Sequence, residues 1–193
     1  MGRLLFFSNN KNKIIEIKKI FDKFNLQLLS LTDVGISDEP AESGQTFEEN
    51  AKIKSDYGYN KTGIPCFADD SGICIESLNW QPGVFSKRFL NNFKSNKACF
   101  DSIIKSNKKN SKQNAYFKTS ISLTVKNNQN VIFNGKINGK ISEQAKGGFG
   151  FGYDPIFIPK NYDKTLAELS TEEKNEISHR SIAVTKLINF LTN

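Results

Sequence analysis

Two adjacent carboxylates, Asp69 and Asp70, follow the apolar run Cys66-Phe67-Ala68 and precede Ser71-Gly72. Neighbouring carboxylates at the end of a buried strand are costly to hold unless a cation sits with them. Mg²⁺ takes hard oxygen ligands and keeps several waters, so one or two carboxylates plus substrate phosphates are enough to hold it. One of the two can then take a proton from an attacking water. An Asp-Ser-Gly turn would use the same residues for no chemistry, but the apolar run before them argues for a site. A second segment, Ser8-Asn9-Asn10-Lys11-Asn12-Lys13, stands between an apolar run and a helical pattern. Backbone N–H groups at a helix start, a hydroxyl and a first-turn lysine make a phosphate cradle. The flanking glycines and the Lys-Ser/Thr pair of a Walker A loop are absent, and an Asn-rich capping turn would look the same.

Two further groups complete the inventory. An acidic loop over 33–45 contains Glu42 and leads to Glu48, Glu49, Lys52 and Lys54. Glu49 suits a helix cap and Glu48 with Lys52 an i,i+4 surface pair, which leaves Glu42 and Lys54 for a metal and a phosphate. Farther on, Phe149-Gly150-Phe151-Gly152-Tyr153-Asp154 joins Lys174, His179 and Arg180. Glycines let backbone lie against a ligand, and a ring between them can stack on a base, either Phe149 or Phe151. His179 and Arg180 can donate to a carbonyl-bearing base edge, although a lone His is more often structural. Together the four segments supply phosphate-binding, metal-binding, water-activating and base-contacting groups, the set a nucleotide hydrolase needs.

These groups must be positioned by an α/β arrangement. Leu4-Leu5-Phe6-Phe7 reads as a buried strand, the apolar spacing from Lys13 to about residue 24 as a helix, and 26–31 as a second strand. Thr46 with Glu49 forms a capping box that opens a helix to about Tyr57. Cys66-Phe67-Ala68 and 72–78 read as two strand pieces broken at Asp69-Asp70-Ser71, and Pro82-Gly83 as a turn. A helix follows over 96–106, then a Lys/Asn/Ser loop to 114. Alternation over 115–125 and 131–140 predicts a hairpin turning at 127–130. A strand at 156–158 and a capping box at Ser170 and Glu173 lead into one last helix, running through Ser178-His179-Arg180 towards Leu191.

At 193 residues the chain suits one domain, 1–193, of two lobes. No apolar stretch approaches the roughly 20 residues of a membrane span, and the N-terminus lacks the pattern of a signal peptide. Three cysteines, Cys66, Cys74 and Cys99, odd in number and without metal-ligand spacing, read as free thiols of a cytoplasmic protein. The net charge of +7 comes from 27 basic residues, of which Arg3, Arg88 and Arg180 are the arginines. The lysines are dispersed among Asn and Ser, which argues against a nucleic-acid-binding face. A basic nucleic-acid-binding module would in any case leave Asp69 and Asp70 without a role.

The Ser8 to Lys13 start, Thr46-Phe47-Glu48-Glu49-Asn50-Ala51, Ala68-Asp69-Asp70-Ser71-Gly72, Pro82-Gly83-Val84-Phe85-Ser86-x-Arg88, Phe151-Gly152-Tyr153-Asp154-Pro155 and Ser178-His179-Arg180 together resemble the inosine triphosphate pyrophosphatase family, in its bacterial dITP/XTP branch. The motifs come in the family's order over nearly the whole chain. The resemblance implies an elongated mixed β-sheet flanked by helices, in two lobes with a central cleft. It implies a homodimer that uses Mg²⁺ to hydrolyse ITP, dITP and XTP to the monophosphate and pyrophosphate, with no nucleic-acid or membrane partner. Carried over by motif, Asp70 is the proton acceptor and a metal residue, with Glu42 and Asp69 completing the metal set. Ser8, Asn9, Asn10, Lys11, Asn12, Lys13, Lys54 and Ser71 match substrate and phosphate contacts. Phe151, Gly152, Tyr153, Asp154, Lys174, His179 and Arg180 match base-side contacts. A related pyrophosphatase acting on pyrimidine or modified nucleotides is the alternative that the His179-Arg180 pair argues against.

Overall fold

The computed structural model describes residues 3–22, 24, 27–126 and 129–192. In chain order the strands are β1 (Leu4–Phe6), β2 (Leu28–Leu29), β3 (Cys66–Ile75), β4 (Gln81–Pro82), β5 (Asn114–Lys126), β6 (Gln129–Ile141) and β7 (Phe157–Pro159). The α-helices are α1 (Lys11–Asp22), α2 (Phe47–Thr62), α3 (Ser86–Asn91), α4 (Asn96–Asn110), α5 (Thr171–Ile177) and α6 (His179–Thr192). The sheet order is β2-β1-β3-β5-β6-β7, with β4 on β3. β1 pairs in parallel with β2 and β3, whereas β3–β4 and β6–β7 are antiparallel, so the sheet is mixed. The α/β class with a helix-flanked mixed sheet is therefore as expected.

The chain divides into two compact units, and β3, β5 and β6 each contribute residues to both. The first comprises the chain up to Asp70, Thr119–Gly135, and Arg180 onward. Its strands alternate by the two-residue period of the pleat. Leu4, Phe6 and Phe67 pack with Ile17, Ile20 and Phe21 of α1 and with Ala183, Val184, Leu187 and Ile188 of α6. Leu5, Phe7, Cys66 and Ala68 form a separate cluster, against which Tyr57 and Tyr59 of α2 pack. Helix α2 lies close to the strands, because a Cβ on Gly58 would stand 2.5 Å from Cys66 Sγ and 2.6 Å from the Phe7 ring. The second unit comprises Ser71–Lys118 and Lys136–His179, and its core gathers Ile73, Ile75, Phe100, Ile103, Phe117 and Phe157.

Several boundaries differ from the sequence reading. Helix α1 starts at Lys11, because Asn10 Oδ1 accepts from the N–H groups of Asn12 (3.1 Å) and Lys13 (3.3 Å) and caps it there. Leu26, Asn127 and Asn128 lie outside the described residues, and the second strand is only Leu28–Leu29. The break expected at Asp69-Asp70-Ser71 does not exist, since β3 is continuous through all three. Helix α4 extends to Asn110 through the supposed loop, with Asn107 buried and accepting from the Ser77 hydroxyl. The last helix is two, α5 and α6, interrupted where Ser178 is extended (φ −67°, ψ 152°). The chain between Asp154 and Ile156 is a 3-10 turn, which moves the expected strand one residue on.

Candidate active site

In the first unit the two carboxylates of β3 lie within the sheet, both buried. Successive strand residues point to opposite faces, and the pair divides accordingly. Asp69 follows Phe67 towards α1 and α6, where its Oδ2 meets Lys13 Nζ at 2.9 Å and Arg180 Nε at 3.5 Å. Asp70 follows Ala68 towards α2, where Lys54 Nζ lies 3.9 Å from its Oδ1 and Asn50 Nδ2 donates to its Oδ2 at 3.1 Å. Lys54 also donates to Glu42 Oε1 of the acidic loop at 2.7 Å. Arg180 continues the first network by donating to Glu16 of α1, itself buried.

Local sequence explains why these groups converge. Lys13 and Glu16 stand three apart on α1, on the face that carries Ile17 and Ile20 into the core. Asn50 and Lys54 stand four apart on α2, whose start is fixed by a complete Thr46/Glu49 capping box. Glu49 Oε2 additionally accepts from Gln45 N at 2.6 Å, and Asn50 Oδ1 from Gly44 N at 2.8 Å, so the end of the acidic loop is tied to the first turn. In the phosphate-cradle segment, Ser8 Oγ accepts from Asn10 N at 3.2 Å, and Asn9 N donates to Glu39 Oε1 at 3.1 Å. Lys11 and Asn12 are exposed at the first turn of α1.

The electrostatics separates the two carboxylates. Burial alone would raise Asp69, but Lys13, Arg180 and Lys54 outweigh it and hold its carboxyl well below the usual range. Burial pushes Asp70 up, and Lys54 and Lys13 only partly offset this. Burial would likewise lower Lys54, yet Asp70, Asp69 and Glu42 together keep its ammonium above the ordinary lysine value. Lys13 is lowered by burial, with Asp69 opposing. Asp69 is thus a fixed anion, whereas Asp70 is a carboxylate under pressure to take a proton.

The three carboxylates expected around a metal are divided in this geometry, Asp69 facing Lys13 and Arg180 while Glu42 and Asp70 face Lys54. Among the described residues no three Asp, Glu, His or Cys side chains are gathered to hold a metal ion. Asp69 points away from Asp70 for the reason given by the strand period. Glu42 and Asp70 remain a fit for a hard divalent cation, because both direct oxygens at the same ammonium, Lys54 Nζ. Two carboxylates with substrate phosphates make a Mg²⁺ site without a protein cage.

The second unit holds the base-side candidates except Arg180, which belongs to the first unit and is turned to Asp69 and Glu16. Asp154 Oδ2 accepts from Lys174 Nζ (2.7 Å) and from Phe151 N (2.8 Å), and Lys174 Nζ lies 4.8 Å from the Phe151 ring centroid. Gly150 at φ +79° has no room for a side chain, since its Cβ would stand 2.2 Å from Asp154 Oδ2. Gly152, also left-handed at φ +63°, has open space around its Cα. Tyr153 turns inward and donates to Ser86 O at 2.7 Å. Phe149 is 62% exposed, whereas Phe151 is half-buried beside Lys174. His179 is buried, its ring stacked on Phe117 at 4.7 Å and 8°. Ser71, also in this unit, is partly exposed on β3.

A family model described as the Ham1 family matches residues 4–190, nearly the whole chain. The chain belongs to the Ham1 family. It is 42% identical over 190 residues to a dITP/XTP pyrophosphatase of Christiangramia forsetii, covering 98% of this chain and 99% of that protein. It is 43% identical to the dITP/XTP pyrophosphatase of Flavobacterium johnsoniae, with 98% of each covered. Among solved structures, a HAM1 protein from Coxiella burnetii superposes with a TM-score of 0.89 at 33% identity, covering 100% of this chain and 99% of that one. The Staphylococcus aureus Ham1 protein gives 0.87 at 34% identity, covering 99% and 98%.

Sequence reasoning missed four residues that contact these candidates, Glu16 and Asn50 in the first unit and Phe117 and Ser86 in the second. Glu16 is masked as an ordinary helix-surface acid, although its place three after Lys13 on the core-facing stripe was a usable signal. Asn50 sits inside a motif that carries the cap and the family resemblance, neither of which gives its side chain a role. Phe117 carries no signal, and Ser86 is legible only as part of a motif, because their contacts with His179 and Tyr153 join residues 62 and 67 positions apart in the sequence.

Proposed function

We propose that this Ham1-family chain is a Mg²⁺-dependent nucleoside-triphosphate pyrophosphatase that converts dITP, XTP and ITP to the monophosphate and pyrophosphate. The observation that carries the reading is the 42–43% identity, over 98% of the chain, to proteins named dITP/XTP pyrophosphatase. The site supports it with a buried base candidate beside lysines.

In this reading the backbone and side chains of Ser8, Asn9, Asn10, Lys11, Asn12 and Lys13, with Lys54 and Ser71, bind the triphosphate. Glu42 and Asp70 hold the Mg²⁺, with Asp69 acting on Lys13 and Arg180. When bound, the ion neutralises charge that develops on the leaving pyrophosphate. Asp70 accepts the proton of the water that attacks the α-phosphorus, a task suited to a carboxylate whose proton affinity burial has raised. Lys54, beside it, keeps a positive charge next to the reacting groups. On the base side Phe151, Gly152, Tyr153 and Asp154 line the base, and Lys174 and His179 supply donors for the 6-oxo group. An adenine amino group in that place would leave those donors unpaired, a mismatch able to discriminate by about 10⁴. On the same family ground the enzyme works as a cytoplasmic homodimer on free nucleotides.

The test is pyrophosphate release from XTP, dITP, ITP, ATP and dUTP with and without Mg²⁺. The expected result is strong Mg²⁺-dependent release from XTP, dITP and ITP, with ATP and dUTP slower by at least about 10²-fold. Equal release from dUTP would discard the purine assignment.

A further inference from the structure

Asn50 is one of the most deeply buried polar side chains of the first unit, 1% exposed, and both ends of its amide are engaged. Gly44 N–H donates at 2.8 Å, so the atom receiving it is Oδ1. The amide's other end is therefore the Nδ2 donor, and it reaches Asp70 Oδ2 at 3.1 Å. The backbone that fixes this orientation is itself closely packed. A Cβ on Gly44 would stand 2.8 Å from Asn50 Oδ1 and 2.7 Å from Glu49 Cβ. The adjoining N–H groups of Gln45 and Thr46 are held by Glu49 Oε2.

We infer that Asn50 is a positioning residue for the hydrolytic step: locked by the Gly44 N–H, its amide holds Oδ2 of Asp70 and leaves the carboxylate in one orientation for the attacking water. The inference rests on the reading of Asp70 as the proton acceptor. Asn50 touches no substrate itself and acts through Asp70. A carboxylate on a strand has a soft terminal torsion that packing does not fix, and a base must sit within hydrogen-bond reach of the proton it takes. Lys54 neutralises Asp70 from the Oδ1 side at 3.9 Å, while a neutral amide on Oδ2 orients the group without adding charge. Misplacing a catalytic group by about 1 Å can cost on the order of 10² in rate.

The same geometry offers a plainer job, anchoring the acidic loop through Gly44, and one substitution separates the two. Asn50→Asp keeps an oxygen to accept the Gly44 N–H but replaces the neutral donor by a second carboxylate against Asp70, so that the two groups repel or share one proton. The experiment measures kcat and KM for XTP at saturating Mg²⁺, calorimetric binding of α,β-imido-XTP without metal, and thermal melting, on the full chain. The expected result is a kcat lower on the order of 10²-fold, with KM and analogue affinity close to the wild type and a lower melting temperature, because the added carboxylate is buried without a cation of its own. Gly44→Ala, which pushes on Oδ1, should lower kcat in the same direction and serves if Asn50→Asp does not fold. A kcat within about threefold of wild type in the folded variants would overturn the inference. So would a parallel loss of kcat and analogue affinity, because that marks a loop anchor only. A wild-type protein releasing no pyrophosphate from XTP would overturn the hydrolase reading itself, and this inference with it.

Discussion

Asp70 carries the account at the scale of single residues. Its charged form is disfavoured by burial more than the nearby lysines restore, so the folded chain binds its proton more tightly than the unfolded one. A group with a raised folded pKa contributes stability below its unfolded value near 3.9 and loses it as pH rises through the folded value. Taken by itself, the ionised Asp70 therefore costs stability at neutral pH, a cost that suits the base role proposed for it. Asp70→Asn should lower kcat by at least 10² to 10⁴, the usual contribution of a general base. In metal-free buffer it should also melt above the wild type at pH 7, with the gap closing as pH falls. Melting curves at several pH values check this, and a variant that melts lower at every pH would contradict it. The presence of both carboxylates was legible from Asp69-Asp70 in the sequence. Their division was not, because reading the pair as a turn hid the strand period that sends Asp69 to Lys13 and Arg180 and Asp70 to Lys54.

Among the elements, helix α2 does the most positioning, presenting Asn50 and Lys54 to Asp70 from one face. Its start rests on the Thr46/Glu49 box, in which Glu49 N donates to Thr46 Oγ1 at 3.2 Å and Thr46 N to Glu49 Oε2 at 3.2 Å. Thr46→Ala should cost about 1 kcal/mol of unfolding free energy, the usual effect of losing such a cap. Urea denaturation at fixed pH checks this, and an unchanged midpoint would mean that the helix start is held by the loop alone. This box was readable because capping chemistry is local. The end of α2 was not: Gly63, which closes the helix at φ +67°, lies six residues past the expected stop at about Tyr57. The continuity of β3 was hidden for a different reason. Two adjacent acids contradict strand propensity, and only the cations of α1, α2 and α6, distant in sequence, make their burial tolerable. Likewise the extended Ser178 that divides α5 from α6 sets His179 at a helix start, where periodicity alone sees one helix.

For the molecule as a whole, the alternating strands, the mixed sheet and the full-length match to the Ham1 family agree with the class read from composition and pattern. What the sequence could not convey is how charge is distributed inside. A chain of net charge +7 places Glu16, Asp69, Asp70, Lys13, Lys54 and Arg180 in or near the interior of one unit, where paired charges are costly to desolvate. Such expense without evident benefit to stability is what a catalytic centre looks like. Among the described residues no helix is long and apolar enough to cross a membrane, and the three thiols are free and buried. In the proposed reaction, water attacks the α-phosphorus and the bond from it to the β-phosphate bridge breaks. The most direct measurement is ³¹P NMR of the products of XTP hydrolysis in ¹⁸O-enriched water with Mg²⁺. The account predicts pyrophosphate and XMP, with the label in XMP. Inorganic phosphate and XDP, or label appearing in pyrophosphate, would contradict it.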